Sequence, residues 1–420
     1  MKYKKYSSYK DSGVEWLGEI PESWDARRLG FYFKERREKV SDKVFSPLSV
    51  TKNGIVPQLE NAAKSDDGDN RKKVCKGDFV INSRSDRKGS SGLSQLDGSV
   101  SLINTVIEPK NINENYIHYL LKSQPFQEEY YRYGKGIVAD LWSTNYSEMK
   151  NIIISSPTLK EQQQIANFLD KATAKIDTLI EKQTKQIELL KEKRQAVISH
   201  AVTKGINPNV PMKDSGVEWL GEIPEHWEVS KLKFYTNVKG RIGFRGYTKD
   251  DLVSKEEGAL VIGASEMNNN AKLEIKKPQY ISWYKYYESP EIILNQGDLL
   301  FVQRGSTVGK VAHIDFDIEE ATINPSLVVL KRIKLNPFYL KYYLLSNLIK
   351  AIVKVETSNT AIPMISQEQI GNYTLSFPKK EDEQQQIVNY LDEKTSKIDT
   401  LIEKSNKSIE LLKEKRTALI

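Results

Sequence analysis

The sequence predicts an α+β protein written as a tandem duplication: two mixed α/β domains, each followed by one of two long coiled-coil helices. Three observations carry this. The block DSGVEWLGEIPESW at 11–24 recurs at 214–227 with 13 of 14 positions identical. A 33-residue block at 162–194 recurs at 384–416 with 25 of 33 identical. Two diverged inserts, 25–157 and 228–378, lie between the matching blocks and mix strand and helix patterns.

The order is therefore an apolar docking segment (1–24), a variable domain (25–157), a long helix (158–202), and a linker with the repeated docking segment (203–227). A second variable domain (228–378) and a second long helix (379–420) follow. Trp16, Trp24, Trp219 and Trp227 of the docking segments read as buried anchors. Faint anchors persist inside the inserts. Gly77-Asp78, Arg84 and Ile103-Asn104 align with Gly297-Asp298, Arg304 and Ile323-Asn324 at an offset of 220. One frame with two diverged surfaces suggests two different targets.

In the variable domains, KGDFVINSR and QGDLLFVQR read as a turn followed by a strand. VSLINTVIEP and ATINPSLVVLK read as later strands. ENYIHYLLKSQPFQEEY and NPFYLKYYLLSNLIKAIV read as helices, with apolar residues three and four apart. The 33-residue blocks are rich in Glu, Lys, Gln, Leu and Ile and contain no Gly or Pro. Ile165, Leu169, Ile176 and Leu179 form a 3-4 stripe, matched by Ile387, Leu391, Ile398 and Leu401. These eight are the candidate partner-binding residues, and the two matching stripes favour pairing with each other. Pro157 and Pro378 precede the helices, and TKGINPNVPMK (203–213) breaks the first one. About 40 residues at ~1.5 Å each make a rod of roughly 60 Å.

The chain has 420 residues, 63 basic and 56 acidic, for a net charge of +7. That balance permits a nucleic-acid partner without requiring one. The single cysteine, Cys75, excludes a disulfide framework and a cysteine-cluster metal site. No run of 18 apolar residues occurs, and MKYKKYSSYK lacks the apolar stretch of a signal peptide. A cytoplasmic protein without a membrane contact is expected.

No catalytic or metal constellation is legible. His118, His200, His226 and His313 lie in separate segments without ligand spacing. GSTVGK (305–310) has three residues between its glycines where a Walker loop has four. Asn336-Pro337-Phe338-Tyr339 approaches an amino-methyltransferase motif but reads as ordinary N-cap chemistry. Basic and polar loops are the better candidates, for DNA. Arg84, Arg87, Lys88 and Ser90 lie in one loop, Lys135 in a second, and Arg241 and Arg245 in a third. Arg304, Ser306, Thr307 and Lys310 form a fourth, and Asn359 lies in a fifth. Arginine and lysine can reach phosphates or guanine edges, and small loops can offer backbone N–H groups to phosphate.

The W-L-G-E-I-P-x-x-W segment, variable domain and E-x-Q-Q-Q-I-x-x-x-L-D helix, each given twice, resemble the specificity subunit of a Type I restriction-modification system. The resemblance spans essentially the whole chain and rests on residues 14–24, 161–194, 217–227 and 383–416. It implies two target-recognition domains, each reading half of a bipartite, asymmetric site in double-stranded DNA. It implies that the two helices run antiparallel as a spacer and dock two methylation subunits in a pseudo-two-fold arrangement. It implies no catalytic residue and no cofactor in this chain: methylation subunits use S-adenosylmethionine to modify adenine N6, and restriction subunits use ATP and Mg2+. The rival readings are a stand-alone DNA-binding regulator and a coiled-coil adaptor that never touches DNA.

Overall fold

The structure is a computed structural model describing residues 5–60, 68–136, 142–268, 270–358 and 361–420. The chain divides into two compact units. The first is Met1–Gln183 with Lys407–Ile420, and the second is Thr184–Asn406. Both cuts fall inside the long helices, so each unit owns a variable domain and a part of each helix.

In the first unit the strand Asp25–Arg28 pairs antiparallel with Ile153–Ser156 and closes the domain just before the helix. The main sheet is antiparallel, in the order Ser91–Leu93, Phe79–Asn82, Asn104–Pro109, Phe33–Glu35. Phe79–Asn82 is buried along its length, which fits the continuous apolar run that marks a central strand. The expected helix over 114–130 is two helices, α1 (Glu114–Lys122) and α2 (Gln124–Arg132). Ser123 explains the break: its backbone is extended, and its hydroxyl caps Phe126 N while Pro125 starts the next turn. A short α3 (Tyr146–Met149) precedes the closing strand.

The long helix α4 (Leu159–Lys204) begins at a capping box. The Glu161 carboxylate accepts from the Thr158 N–H and hydroxyl, and Glu161 N–H donates back to Thr158 Oγ1. Gly205, at φ +78°, ends it by donating its N–H to Ala201 O.

The second unit repeats the plan. Trp227–Lys231 pairs with Thr374–Pro378. The main sheet runs Asn237–Gly240, Leu327–Lys331, Leu299–Val302, Val311–His313, the same order as in the first unit when equivalents are matched. A further four-stranded sheet joins Gly258–Ile262 in parallel to Ala321–Ile323, where the first unit's second sheet, Gly98–Val100, Arg71–Val74 and Lys39–Val40, has three strands among the described residues. After a short α5 (Trp283–Tyr287), the second expected helix also breaks in two, into α6 (Pro337–Leu344) and α7 (Asn347–Thr357). Ser346 caps Ile349 N at the break. Then come α8 (Gln367–Gly371) and α9 (Glu381–Leu419).

Within the second unit the two long helices run in opposite directions. Arg194 of α4 donates to the Asp399 carboxylate of α9 at 2.9 and 3.3 Å. Later in α4, Val202 O lies 3.1 Å from the Tyr339 hydroxyl, which is also 2.8 Å from Ser376 O, just before α9 begins. In the first unit Arg416 pairs with Asp177 at 2.9 Å. These are the repeat equivalents of Arg194 and Asp399, with the helices exchanged.

The tryptophan anchors are unequal. Trp227 is 1% exposed and donates from Nε1 to Glu383 at 2.9 Å. Trp16 and Trp24 are half-buried. Trp219 is 45% exposed, so it is no buried anchor; its neighbour Leu220 enters the core in its place.

Candidate nucleic-acid interface

The anchor Gly-Asp builds the same turn in both domains. Gly77 and Gly297 sit at φ +92° and +90°, a region that glycine enters without strain. Asp78 Oδ2 then accepts from Cys75 N at 2.8 Å, and Asp298 Oδ2 from Asn295 N at 2.9 Å. Both carboxylates are buried and paired, Asp78 with Arg36 at 2.7 Å and Asp298 with Lys331 at 3.2 Å. This turn aims the buried strands Phe79–Asn82 and Leu299–Val302, and each strand delivers an arginine two residues past its end.

Arg84 and Arg304 are both exposed. Each is held by its backbone in an isolated antiparallel bridge to the loop before α3 or α8, Arg84 to Ser143 and Arg304 to Met364. The loops that follow close alike: Asn82 N donates to Ser90 O, and Val302 N to Lys310 O. Their contents differ. The first carries exposed Arg87, half-buried Lys88 paired with Glu128 at 2.5 Å, and buried Ser90. The second carries exposed Ser306 and Thr307 and half-buried Lys310. Its resemblance to a phosphate cradle ends in the hydrogen bonds. The N–H groups of Gly305, Val308, Gly309 and Lys310 all donate to backbone carbonyls. Lys135 pairs with Glu148 at 3.0 Å beside the Arg84 bridge. Asn359 lies outside the described residues.

One expected DNA contact is a correction. Arg241 is 6% exposed, its guanidinium facing Ile323 O, Arg245 O and the Thr322 hydroxyl, with the Tyr247 ring beneath it. A buried guanidinium already satisfied by such acceptors is a structural clasp. Arg245 pairs with Glu291 at 3.6 Å. The sequence showed a basic glycine-rich loop but not that the loop folds inward.

The eight stripe residues also separate. Leu169, Ile176, Ile387, Leu391 and Ile398 are buried, and Ile165 packs on the first unit's core. Ile387 and Leu391 lie in the second unit's core, which also takes Ile198, Ala201 and Val202 from α4. Leu179 and Leu401 remain 40% and 45% exposed. Sequence reasoning missed two further exposed leucines, Leu189 and Leu411, which are also repeat equivalents. Of these four, Leu179 and Leu411 lie in the first unit and Leu189 and Leu401 in the second.

It also missed the polar clamp inside the repeated helix. Gln162 Oε1 accepts from Asn113 N, and Gln163 Oε1 from Asn113 Nδ2, both at 2.8 Å. Gln384 and Gln385 hold Asn336 identically. Asn113 and Asn336 in turn cap α1 and α6, which accounts for the Asn-Pro-Phe-Tyr sequence without chemistry on a ligand. Two turns on, the Tyr119 and Tyr342 hydroxyls donate to Asp170 and Asp392 at 2.7 and 2.5 Å. Burial, reinforced by that carboxylate, pushes the Tyr119 phenol up to about 12. The available signal was the identity of polar residues between two otherwise variable copies.

Among the described residues, no three histidine, cysteine or acidic side chains gather to hold a metal ion. No described helix is long and apolar enough to cross a membrane.

A duplicated frame that presents two different exposed loops defines a protein of two-part recognition. The family described as Type I restriction modification DNA specificity domain matches the chain twice, over residues 15–189 and 224–411. The chain is 25% identical to a putative type I restriction enzyme MjaX specificity subunit from Methanocaldococcus jannaschii, covering 99% of this chain and 96% of that one. It is also 25% identical to the MjaVIII specificity subunit of the same organism, over 94% and 91%. Its fold is similar to that of a chain solved in work on complex assembly and conformational transition of the type I R-M system. There the TM-score is 0.69, at 17% identity over 95% and 97% of the two chains. The HsdS subunit from Thermoanaerobacter tengcongensis gives a TM-score of 0.54, also at 17% identity, over 95% and 96%.

The chain belongs to the family of Type I restriction-modification specificity subunits. It carries two DNA specificity domains, and its role is DNA recognition. In this family the specificity subunit is the non-catalytic component.

Proposed function

We propose that each variable domain reads one half of a bipartite site in double-stranded DNA, and that two methylation subunits dock on the long helices. The methylation subunits bring S-adenosylmethionine and modify adenine N6. Restriction subunits add ATP- and Mg2+-dependent cleavage in the full complex, in the cytoplasm. The observation that supports this most is the contrast between closely matching helices and different loops. Two equal docking surfaces suit two copies of one partner, and two unequal surfaces suit two different half-sites.

Genome-wide methylation mapping tests it, in cells supplied with the cognate methylation subunit, with and without this chain. A bipartite motif with a fixed gap, methylated only when the chain is present, is the expected result. No new motif, with the partner bound and active on another specificity chain, would refute it.

The exposed leucines are where the partners are expected to sit. Replacing Leu189 and Leu401 with aspartate removes the second unit's apolar pair and places two charges in the contact. Loss of one of two partners is expected, a change from 2:1 to 1:1 in native mass spectrometry. The Leu179 and Leu411 double variant should do the same. Full occupancy in both variants would move docking to another face.

A further inference from the structure

We propose that Arg84 and Arg304 each read a guanine at the same relative position of their own half-sites, so that two otherwise different half-sites share one base. The inference rests on the DNA-reading role proposed above and names the contact.

Three features carry it. First, the arginine is kept in both copies although the loop after it is not: Ser85-Asp86-Arg87-Lys88 stands opposite Gly305-Ser306-Thr307-Val308. A side chain kept for stability would have a partner. Arg36, Arg71, Arg194, Arg241 and Arg416 each have one. The guanidinium groups of Arg84 and Arg304 make no ion pair or side-chain hydrogen bond among the described residues.

Second, the backbone beneath each is fixed on two sides. Arg84 N donates to Asn82 Oδ1 at 3.1 Å, and its strand bridges Ser143, whose hydroxyl donates to Ser83 Oγ at 2.9 Å. Arg304 N donates to Ser326 O at 3.2 Å, and Gly305 N to Pro363 O at 3.0 Å. A rigid base gives the planar fork the placement that two parallel hydrogen bonds to guanine O6 and N7 demand.

Third, the surroundings suit a base edge better than a phosphate. Exposed Trp142 adjoins the Arg84 bridge, and exposed Ile362 and Met364 adjoin that of Arg304. Ser306 and Thr307 complete the second patch. The neighbouring cations of the first patch, Arg87, Lys88 and Lys135, are each paired with a carboxylate, and apolar groups and hydroxyls beside an unpaired arginine match groove edges, including thymine methyls.

The test uses the full chain with its cognate methylation subunit. Methylated motifs are mapped for the parent, R84A and R304A. The expected result is that R304A leaves one half-site intact and makes a single guanine degenerate in the other. R84A should do so at the matching position of the opposite half. The intact half serves as the folding control in each variant. Binding is then measured on DNA carrying 7-deazaguanine at that position, which lacks the N7 acceptor. The parent should bind it roughly ten-fold more weakly than the natural site, and the corresponding alanine variant should not distinguish the two. An unchanged motif in both variants would overturn the inference. So would uniform weakening on all sequences with a salt dependence lowered by about one charge, the mark of a phosphate contact. Absence of any motif with the parent chain would instead sink the reading beneath it, and the inference with it.

Discussion

Replacing Trp227 with alanine is expected to destabilise the second unit by about 3–5 kcal/mol, the usual range for emptying a fully buried aromatic site. The same change at Trp24, its counterpart in the other copy, is expected to cost roughly 1 kcal/mol. The asymmetry comes from packing. Trp227 lies in a core with Ile198, Ala201 and Val202 of α4 and Ile387 of α9. Its ring meets the edge of Tyr339 at 6.5 Å, and its indole N–H ends on Glu383. Truncation leaves a cavity and takes a donor from a carboxylate. Trp24 is half-buried and meets the partly exposed Tyr6 ring at 5.9 Å. Because Trp227 starts the strand that pairs with Thr374–Pro378, its loss also loosens the domain's hold on α9. Hydrogen exchange read peptide by peptide assigns the loss to a unit. Equal losses in the two variants would refute this account.

His313→Leu is expected to stabilise the second unit, and more so as the pH falls. His313 is 4% exposed, and neither ring nitrogen has a hydrogen-bond partner among the described residues. Its ring lies 4.4 Å from that of Phe338. Leaving such groups unpaired costs about 1–3 kcal/mol, and Leu93 fills the equivalent place in the first unit. Burial, helped by the charge of Lys341 and opposed by that of Asp315, lowers the imidazole pKa to about 4. In the unfolded chain it protonates near pH 6.5. Between about 6.5 and about 4 the unfolded chain takes up a proton that the folded chain refuses, so stability falls as the pH drops through that window. The fall from this group amounts to roughly 3 kcal/mol at most. The variant loses this term, so its advantage over the parent should widen between pH 7.5 and pH 4.5 in urea denaturation. His118, also held near 4 by burial, keeps its own contribution in both proteins and cancels from the difference. A variant no more stable than the parent, with a gap independent of pH, would refute the assignment.

Much of the fold was legible because the chain is written twice. The central strands, the long helices and the prolines before them follow from local pattern, and each pattern occurs in two copies. The helix breaks at Ser123 and Ser346 were not seen, because a serine inside an apolar period looks like a polar face until it caps. The site was less legible. Arg84 and Arg304 stood out as shared anchors, and the structure places both at exposed strand ends. Arg241, equally basic in sequence, folds inward onto carbonyls.

The sequence by itself determined the duplication, the two helical blocks, the absence of a recognisable catalytic or metal constellation, and the family. These depend on residue order and periodicity, which are local. Tertiary structure decided what covers each apolar face. Ile387 and Leu391 lie under their own domain while Leu401, on the same stripe, is left open. It decided that Trp227 is an anchor and Trp219 is not, and that Gln162 is buried in a clamp on a domain rather than facing water. The physical reason is common to all of them. Amphipathic spacing defines a face, but burial depends on which distant segment arrives to cover it, and that is settled only when the chain closes.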